Sequence, residues 1–101
     1  MQGFAALADP TRRRIVEMLA ISELPAGEIA RRFDMTAPAV SQHLKLLRGA
    51  GLVNVRRDAQ RRIYALDPNG LAELDAWLAR FRRFWTARLD ALGPEAGTGR
   101  S

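Results

Sequence analysis

Three times in this chain a residue suited to capping a helix is followed closely by proline: Asp9 by Pro10, Thr36 by Pro38, and Asp67 by Pro68. The side-chain oxygen of such a residue takes up an N–H that the first turn leaves unpaired, and proline fits that turn because its own N–H is not needed there. The chain is thereby divided into helical segments before any periodicity is counted. After Pro10, the residues Ile15, Val16, Leu19 and Ala20 recur at helical spacing, which predicts an amphipathic helix over roughly residues 10 to 21. A short apolar segment ahead of it, with Phe4, Ala5, Leu7 and Ala8, is a candidate for one more helix. "SELPAG" interrupts the pattern. "AGEIARRF" then predicts a short helix from Ala26 to Phe33 that buries Ile29, Ala30 and Phe33, with Asp34 and Met35 as a tight connection. Behind the Thr36 cap, Val40, Leu44 and Leu47 form a single stripe at i, i+4 and i+7, until Gly49 and Gly51 end the helix. Two short helices joined by about three residues make a helix-turn-helix.

Beyond Gly51 the period changes. "LVNVRR" and "RIYAL" flank "DAQR", the pattern of a two-stranded antiparallel hairpin, with Val53 and Val55 on one side near Ile63 and Leu66. Arg56, Arg57, Arg61 and Arg62 crowd its tip, and a cationic hairpin behind a helix-turn-helix reads as a wing. The Asp67 cap predicts one long helix from about Asn69 to Leu92, stopped by Gly93 and Pro94. At 1.5 Å per residue it is about 36 Å long, more than one small domain can cover. Leu71, Leu74, Leu78, Phe81 and Trp85 alternate spacings of three and four along it, and Trp77, Phe84, Leu89 and Leu92 widen that seam. The extra width calls for a partner helix. Residues 67 to 92 carry four carboxylates against four arginines, so the helix has little pull on an anionic bilayer, and self-association is expected instead. The expected dimer surface comprises Phe4, Leu7, Leu74, Trp77, Leu78, Phe81, Phe84 and Trp85. The fold class expected is mainly α with a small β-hairpin: a winged helix-turn-helix over residues 1 to 92, dimerising through its terminal helices. Residues 93 to 101, without an apolar anchor, are expected to be a disordered tail.

With Val40, Leu44 and Leu47 turned inward, geometry turns Ala37, Pro38, Ser41, Gln42 and Lys45 outward and leaves His43 at the margin. Glutamine can pair with two atoms of an adenine edge, alanine can meet a thymine methyl, and serine, threonine and lysine suit phosphates or base acceptors. The charge supports that reading. The chain's net charge is +5, yet residues 31 to 62 hold eight basic residues against two acidic ones, which leaves the remainder close to neutral. A surplus so confined is the footprint expected for a polyanion partner. Charged hairpins also protect sheet edges from pairing, but four arginines in seven residues exceed that need. The residues expected to meet double-stranded DNA are therefore Thr36, Ala37, Pro38, Ser41, Gln42, His43 and Lys45 of the helix over 37 to 48, with Arg56, Arg57, Arg61 and Arg62 of the wing.

Other classes are disfavoured. There is no cysteine, so disulfides and thiolate chemistry are excluded, and a single histidine is a poor basis for a metal site. No nucleophile paired with a base and no phosphate-cradling glycine loop is present, so neither catalysis nor a cofactor is expected. No apolar run is long enough to span a bilayer, and Met1 leads into no signal-like block; a cytoplasmic location is the expectation. A protein-interaction module that uses the aromatic helix 69 to 92 to bind another regulator is the alternative from a different class.

"ALADPTRRRIVEMLA", "GEIARRFDMTAPAVSQHLKLLRGAGLV" and "RRIYALDP" together resemble the ArsR/SmtB family of winged helix-turn-helix transcriptional repressors, over about Phe4 to Leu92. The most specific element is Ala39-Val40-Ser41-Gln42-His43-Leu44, followed by Leu47 and the Gly51-Leu52-Val53 exit. The resemblance implies a homodimer binding an inverted repeat, with two recognition helices in successive major grooves about 34 to 36 Å apart and the wings on flanking backbone or minor groove. Metal-sensing members resemble one another in a Cys-x-Cys pair near the helix that here begins "LPAGEIA", or in Asp/His pairs on the last helix. This chain has neither and is more similar to the cysteine-free, SdpR-like branch. The residues assign no inducing ligand.

Overall fold

The computed structural model describes residues 2 to 92, and the tail expected from residue 93 onward lies outside the described residues. Its elements run α1 (Gln2–Ala6), α2 (Pro10–Ile21), β1 (Leu24–Pro25), α3 (Ala26–Arg31), α4 (Ala37–Gly49), β2 (Val53–Asp58), β3 (Arg61–Leu66), α5 (Pro68–Ala79) and α6 (Arg82–Ala91).

All three capping signals operate. Asp9 accepts from the amide of Arg12 at 3.0 Å, Thr36 Oγ1 from the amide of Ala39 at 3.2 Å, and Asp67 from the amide of Asn69 at 3.0 Å, each with proline in the first turn. At its other end α4 closes with Gly51 at φ +79°. There the amide of Leu52 donates to Leu47 and that of Gly51 to Arg48, both at 3.0 Å. This paired closure needs a left-handed residue, and glycine adopts that conformation without a Cβ penalty.

The apolar stripes of α2, α3 and α4 meet in one core. Ile15, Ile29, Leu44, Leu47, Leu52 and Val40 are all essentially inaccessible. Burying each such side chain contributes about 1.5–3 kcal/mol relative to leaving it in water. α3 ends at Arg31, two residues short of the expected Phe33. Phe33 is still half-buried against the core, with the Arg14 guanidinium 5.0 Å from its ring centroid.

The sheet differs from expectation in two respects. It has three antiparallel strands in the order β1-β3-β2, because Leu24 and Pro25 pair with Tyr64 and Ile63. Proline is tolerated there because β1 is an edge strand. In the hairpin, Val53 stands opposite Leu66 and Val55 opposite Tyr64, while Ile63 pairs with Arg56 and therefore belongs to the other face.

The terminal helix is not the single rod expected over residues 69 to 92. The amides of Arg80 and Phe81 donate to Trp77 and Leu78 at 3.2 and 3.0 Å, i→i−3 bonds that tighten the turn, and Phe81 sits at φ −111°, ψ 2°, outside the helical region. The rings of Trp77 and Phe81 close across that turn with centroids 4.6 Å apart. Leu74, expected on the partner-facing seam, is instead buried in its own core. It lies so close to α1 that a Cβ on Gly3 would stand 2.9 Å from its Cδ2. α6 buries no residue at all. The radius of gyration, 16.6 Å, accordingly exceeds the roughly 13 Å of a compact chain this long.

Candidate nucleic-acid interface

α4 divides as its periodicity requires. Val40, Leu44 and Leu47 are buried, and Thr36, Ala37, Pro38, Ser41, Gln42 and Lys45 are exposed. His43 stands apart from that exposed set. Its side chain retains only 19% exposure, with Nδ1 3.9 Å from Asp9 Oδ2 and 3.4 Å from Arg12 Nη1. Arg12 Nε also donates to the carbonyl of Ala6 at 2.7 Å, so one guanidinium spans α1, α2 and α4. The Asp9 carboxyl is held below its ordinary value chiefly by the Arg12 amide, with further help from the Arg12 and His43 side chains, against the opposing effect of partial burial. The structure thus places His43 beside the start of α2, where it links α4 to its neighbour.

The wing arginines separate into two pairs, and strand alternation decides which. Arg57 and Arg62 are directly opposite one another and share the face of Val53, Val55, Tyr64 and Leu66, which packs toward α4. Arg56 and Arg61 lie on the other face. There Arg56 is paired with Glu23, and Arg61 with Asp58 at 3.1 Å. Ala59 makes the turn between the strands at φ 59°, a conformation uncommon outside glycine.

Ion pairing thins the basic surplus in a specific way. Arg31 and Arg32 both engage Glu28, whose carboxyl they hold below its usual range through hydrogen bonds, that from Arg31 foremost. Among the described residues, Lys45, Arg48, Arg57 and Arg62 have no carboxylate within 4.0 Å. Three of these four, with Ser41 and Tyr64, line a cleft of about 220 Å³ between α4 and β3. Arg48 and Tyr64 escape the sequence reading. Arg48 follows Ser41 by seven positions and so falls on the same flank of α4, whereas Tyr64 reads as hairpin core.

Away from this flank, an apolar surface runs along the terminal helices. Trp77, Leu78, Phe81, Phe84, Trp85, Leu89 and Leu92 are all exposed, Phe84 at 58% and Leu92 at 69%. Phe4 and Leu7 are half-buried at its edge, with the Phe4 ring edge-on to Trp77 at 5.0 Å between centroids. Among the described residues no three histidine, aspartate or glutamate side chains gather as a metal site would require, and no helix is long and apolar enough to cross a membrane.

Comparison with known proteins places this arrangement. Residues 9–55 match the model of bacterial regulatory proteins of the arsR family. An HTH-type transcriptional regulator of Mycobacterium tuberculosis is 52% identical over 88 residues, 87% of this chain and 79% of the relative. The transcriptional repressor SdpR of Bacillus subtilis is 35% identical over 78 residues, 77% of this chain and 87% of the relative. Among solved structures, the homodimeric winged helix-turn-helix DNA-binding domain of a possible ArsR-family regulator from Mycobacterium bovis superposes with a TM-score of 0.67 at 29% identity, covering 81% of this chain and 76% of that one. With a helix-turn-helix, a hairpin wing and relatives of this similarity, the chain belongs to the ArsR family of bacterial transcriptional regulators.

Proposed function

We propose that this protein is a homodimeric, sequence-specific DNA-binding repressor that occupies an inverted-repeat operator. The observation that carries the reading is the gathering, on one flank of the fold, of the exposed face of α4 with Lys45, Arg48, Arg57 and Arg62, none of which has a carboxylate partner among the described residues. On this reading Ala37, Pro38 and Gln42 meet base edges in the major groove, and Ser41 lies at the margin of that face. Thr36, Lys45, Arg57 and Arg62 engage phosphates, Arg56 and Arg61 reach DNA only by leaving their carboxylates, and His43 acts by holding α4 against α2.

A second copy of the chain is the occupant we assign to the apolar surface of α5 and α6, for two reasons. The helices carry balanced charge over residues 67 to 92, which offers a foreign partner of either sign little attraction. The relative from Mycobacterium bovis is itself homodimeric. Two recognition helices would then stand about 34 to 36 Å apart, one turn of B-form DNA.

Selection of bound sequences from a random duplex pool, followed by competition with unlabelled DNA, tests the reading. A two-fold symmetric consensus that competes far better than random DNA is the expected result, and equal competition by both would overturn specificity. Sedimentation equilibrium of the protein without DNA should give twice the chain mass. A monomer that associates only with another regulator would favour the interaction-module reading instead.

A further inference from the structure

We propose that the cleft between α4 and β3 seats one backbone phosphate of the bound duplex, with Arg48 and the Tyr64 hydroxyl acting beside Ser41, Lys45 and Arg62. The proposal rests on the DNA-binding reading above and adds to it two residues and a single defined ligand position.

Two elements build the cleft independently. Ser41, Lys45 and Arg48 fall at i, i+4 and i+7 of α4, one flank of a helix. Arg62 and Tyr64 alternate on β3 and share its helix-facing side. Three cations and two hydroxyls therefore converge on about 220 Å³, and no acidic side chain lines that space. Such an arrangement has no stabilising role within the chain, because like charges brought together repel, and Arg57 adds to the field from the strand opposite Arg62. An anion is its complement.

Tyr64 is a second, independent indication. It is 6% exposed, and its hydroxyl makes no hydrogen bond to any described residue, whereas a buried phenol normally finds a partner. A phosphate oxygen in the cleft would supply that partner. The ligand is a DNA phosphate because the same cleft borders Ser41 and Lys45, on the face of α4 that the reading places in the major groove. A phosphate held jointly by reading helix and wing would fix how far α4 advances along the groove, which makes the cleft a register device.

Two variants that keep the core filled test this on the selected operator. Arg48→Gln should lower the slope of log affinity against log salt measurably but by less than about 0.9, the value of one neutralised phosphate, because Lys45 and Arg62 still engage it. Tyr64→Phe should weaken binding about ten- to a hundredfold with the slope unchanged, as expected for a hydrogen bond from a neutral donor to a charged acceptor. Replacing phosphates one at a time by uncharged methylphosphonates should locate one position per half-site where Arg48→Gln has no further effect. An unchanged slope for Arg48→Gln, or the absence of such a position, would overturn the proposal while DNA binding itself stood. Failure of the unaltered protein to bind any duplex would overturn both readings. Titration of DNA-free protein with inorganic phosphate, followed by the Tyr64 NMR signals, completes the test. Saturation at millimolar phosphate together with an unchanged Arg48→Gln slope would make the cleft a free-anion site.

Discussion

Replacing Gly70 by alanine is expected to detach the terminal helices from the reading head more effectively than many larger changes. Gly70 lies in the first turn of α5, and a Cβ built there would stand 1.8 Å from the carbonyl oxygen of Gly51 and 2.6 Å from its carbonyl carbon. Ordinary contact begins near 3.4 Å, so the two backbones must separate by about 1.6 Å. Neither partner is a side chain that can swing away. Gly51 is held by the closure of α4, and the next residue, Leu52, accepts from the amide of Asp67 at 2.9 Å. Overpacking of this kind costs about 3 kcal/mol at the upper end of the usual range. Alanine's helical preference over glycine returns about 1 kcal/mol. The net loss of about 2 kcal/mol corresponds to a fall in Tm of about 8–16 °C for a domain of this size. Thermal unfolding followed by circular dichroism would measure it. Gly27→Ala serves as the comparison, because a Cβ there meets nothing within 4 Å and should be neutral or stabilising by about 0.5 kcal/mol. A Gly70→Ala protein melting within about 2 °C of the parent would refute the claim that α5 docks through a backbone contact.

Arg57→Ala should weaken binding to all duplexes alike and flatten the salt dependence by about one unit. Arg61→Ala should do so far less, because Asp58 already engages that side chain; titrations by fluorescence anisotropy at several salt concentrations separate the two. Trp85→Glu, which places a charge on the apolar face of α6, should shift sedimentation equilibrium toward monomer and reduce operator affinity, and an unaltered mass would move the dimer surface elsewhere. The Asp9 carboxyl sits below its ordinary value of 3.8, so its contribution is complete above that pH and is lost as the pH falls through the lower folded value. Asp9→Asn, which can still cap the helix, should therefore abolish this part of the acid sensitivity, seen as a smaller drop in Tm between about pH 5 and about pH 2.

What could be read from the residues was what depends on near neighbours. The caps at Asp9, Thr36 and Asp67 act over two or three residues, and the stripe of Val40, Leu44 and Leu47 assigns both faces of α4 by geometry alone. β1 could not be read that way, since two residues carry no period and Leu24 becomes strand only because Tyr64 lies beside it. The break at Arg80 and Phe81 has no proline or glycine to announce it. Leu74 obeys the same heptad spacing as its exposed neighbours, and spacing does not distinguish a helix's own core from a partner's. At the site, the outer face of α4 was legible but the division of the arginines was not. Arg56 is neutralised by Glu23, 33 positions away, and only the hairpin register reveals that Arg57 and Arg62 share a rung.

The ten residues of α6 bury nothing within their own chain. Helices shorter than about 12–15 residues are marginal in water, so nearly all the free energy that keeps this one wound must come from a neighbour. Under the dimer reading, dilution would unwind α6 as it separates the protomers, and promoter occupancy would rise with roughly the square of cellular abundance. Scarce protein would then be silent, a threshold built from an unfinished helix.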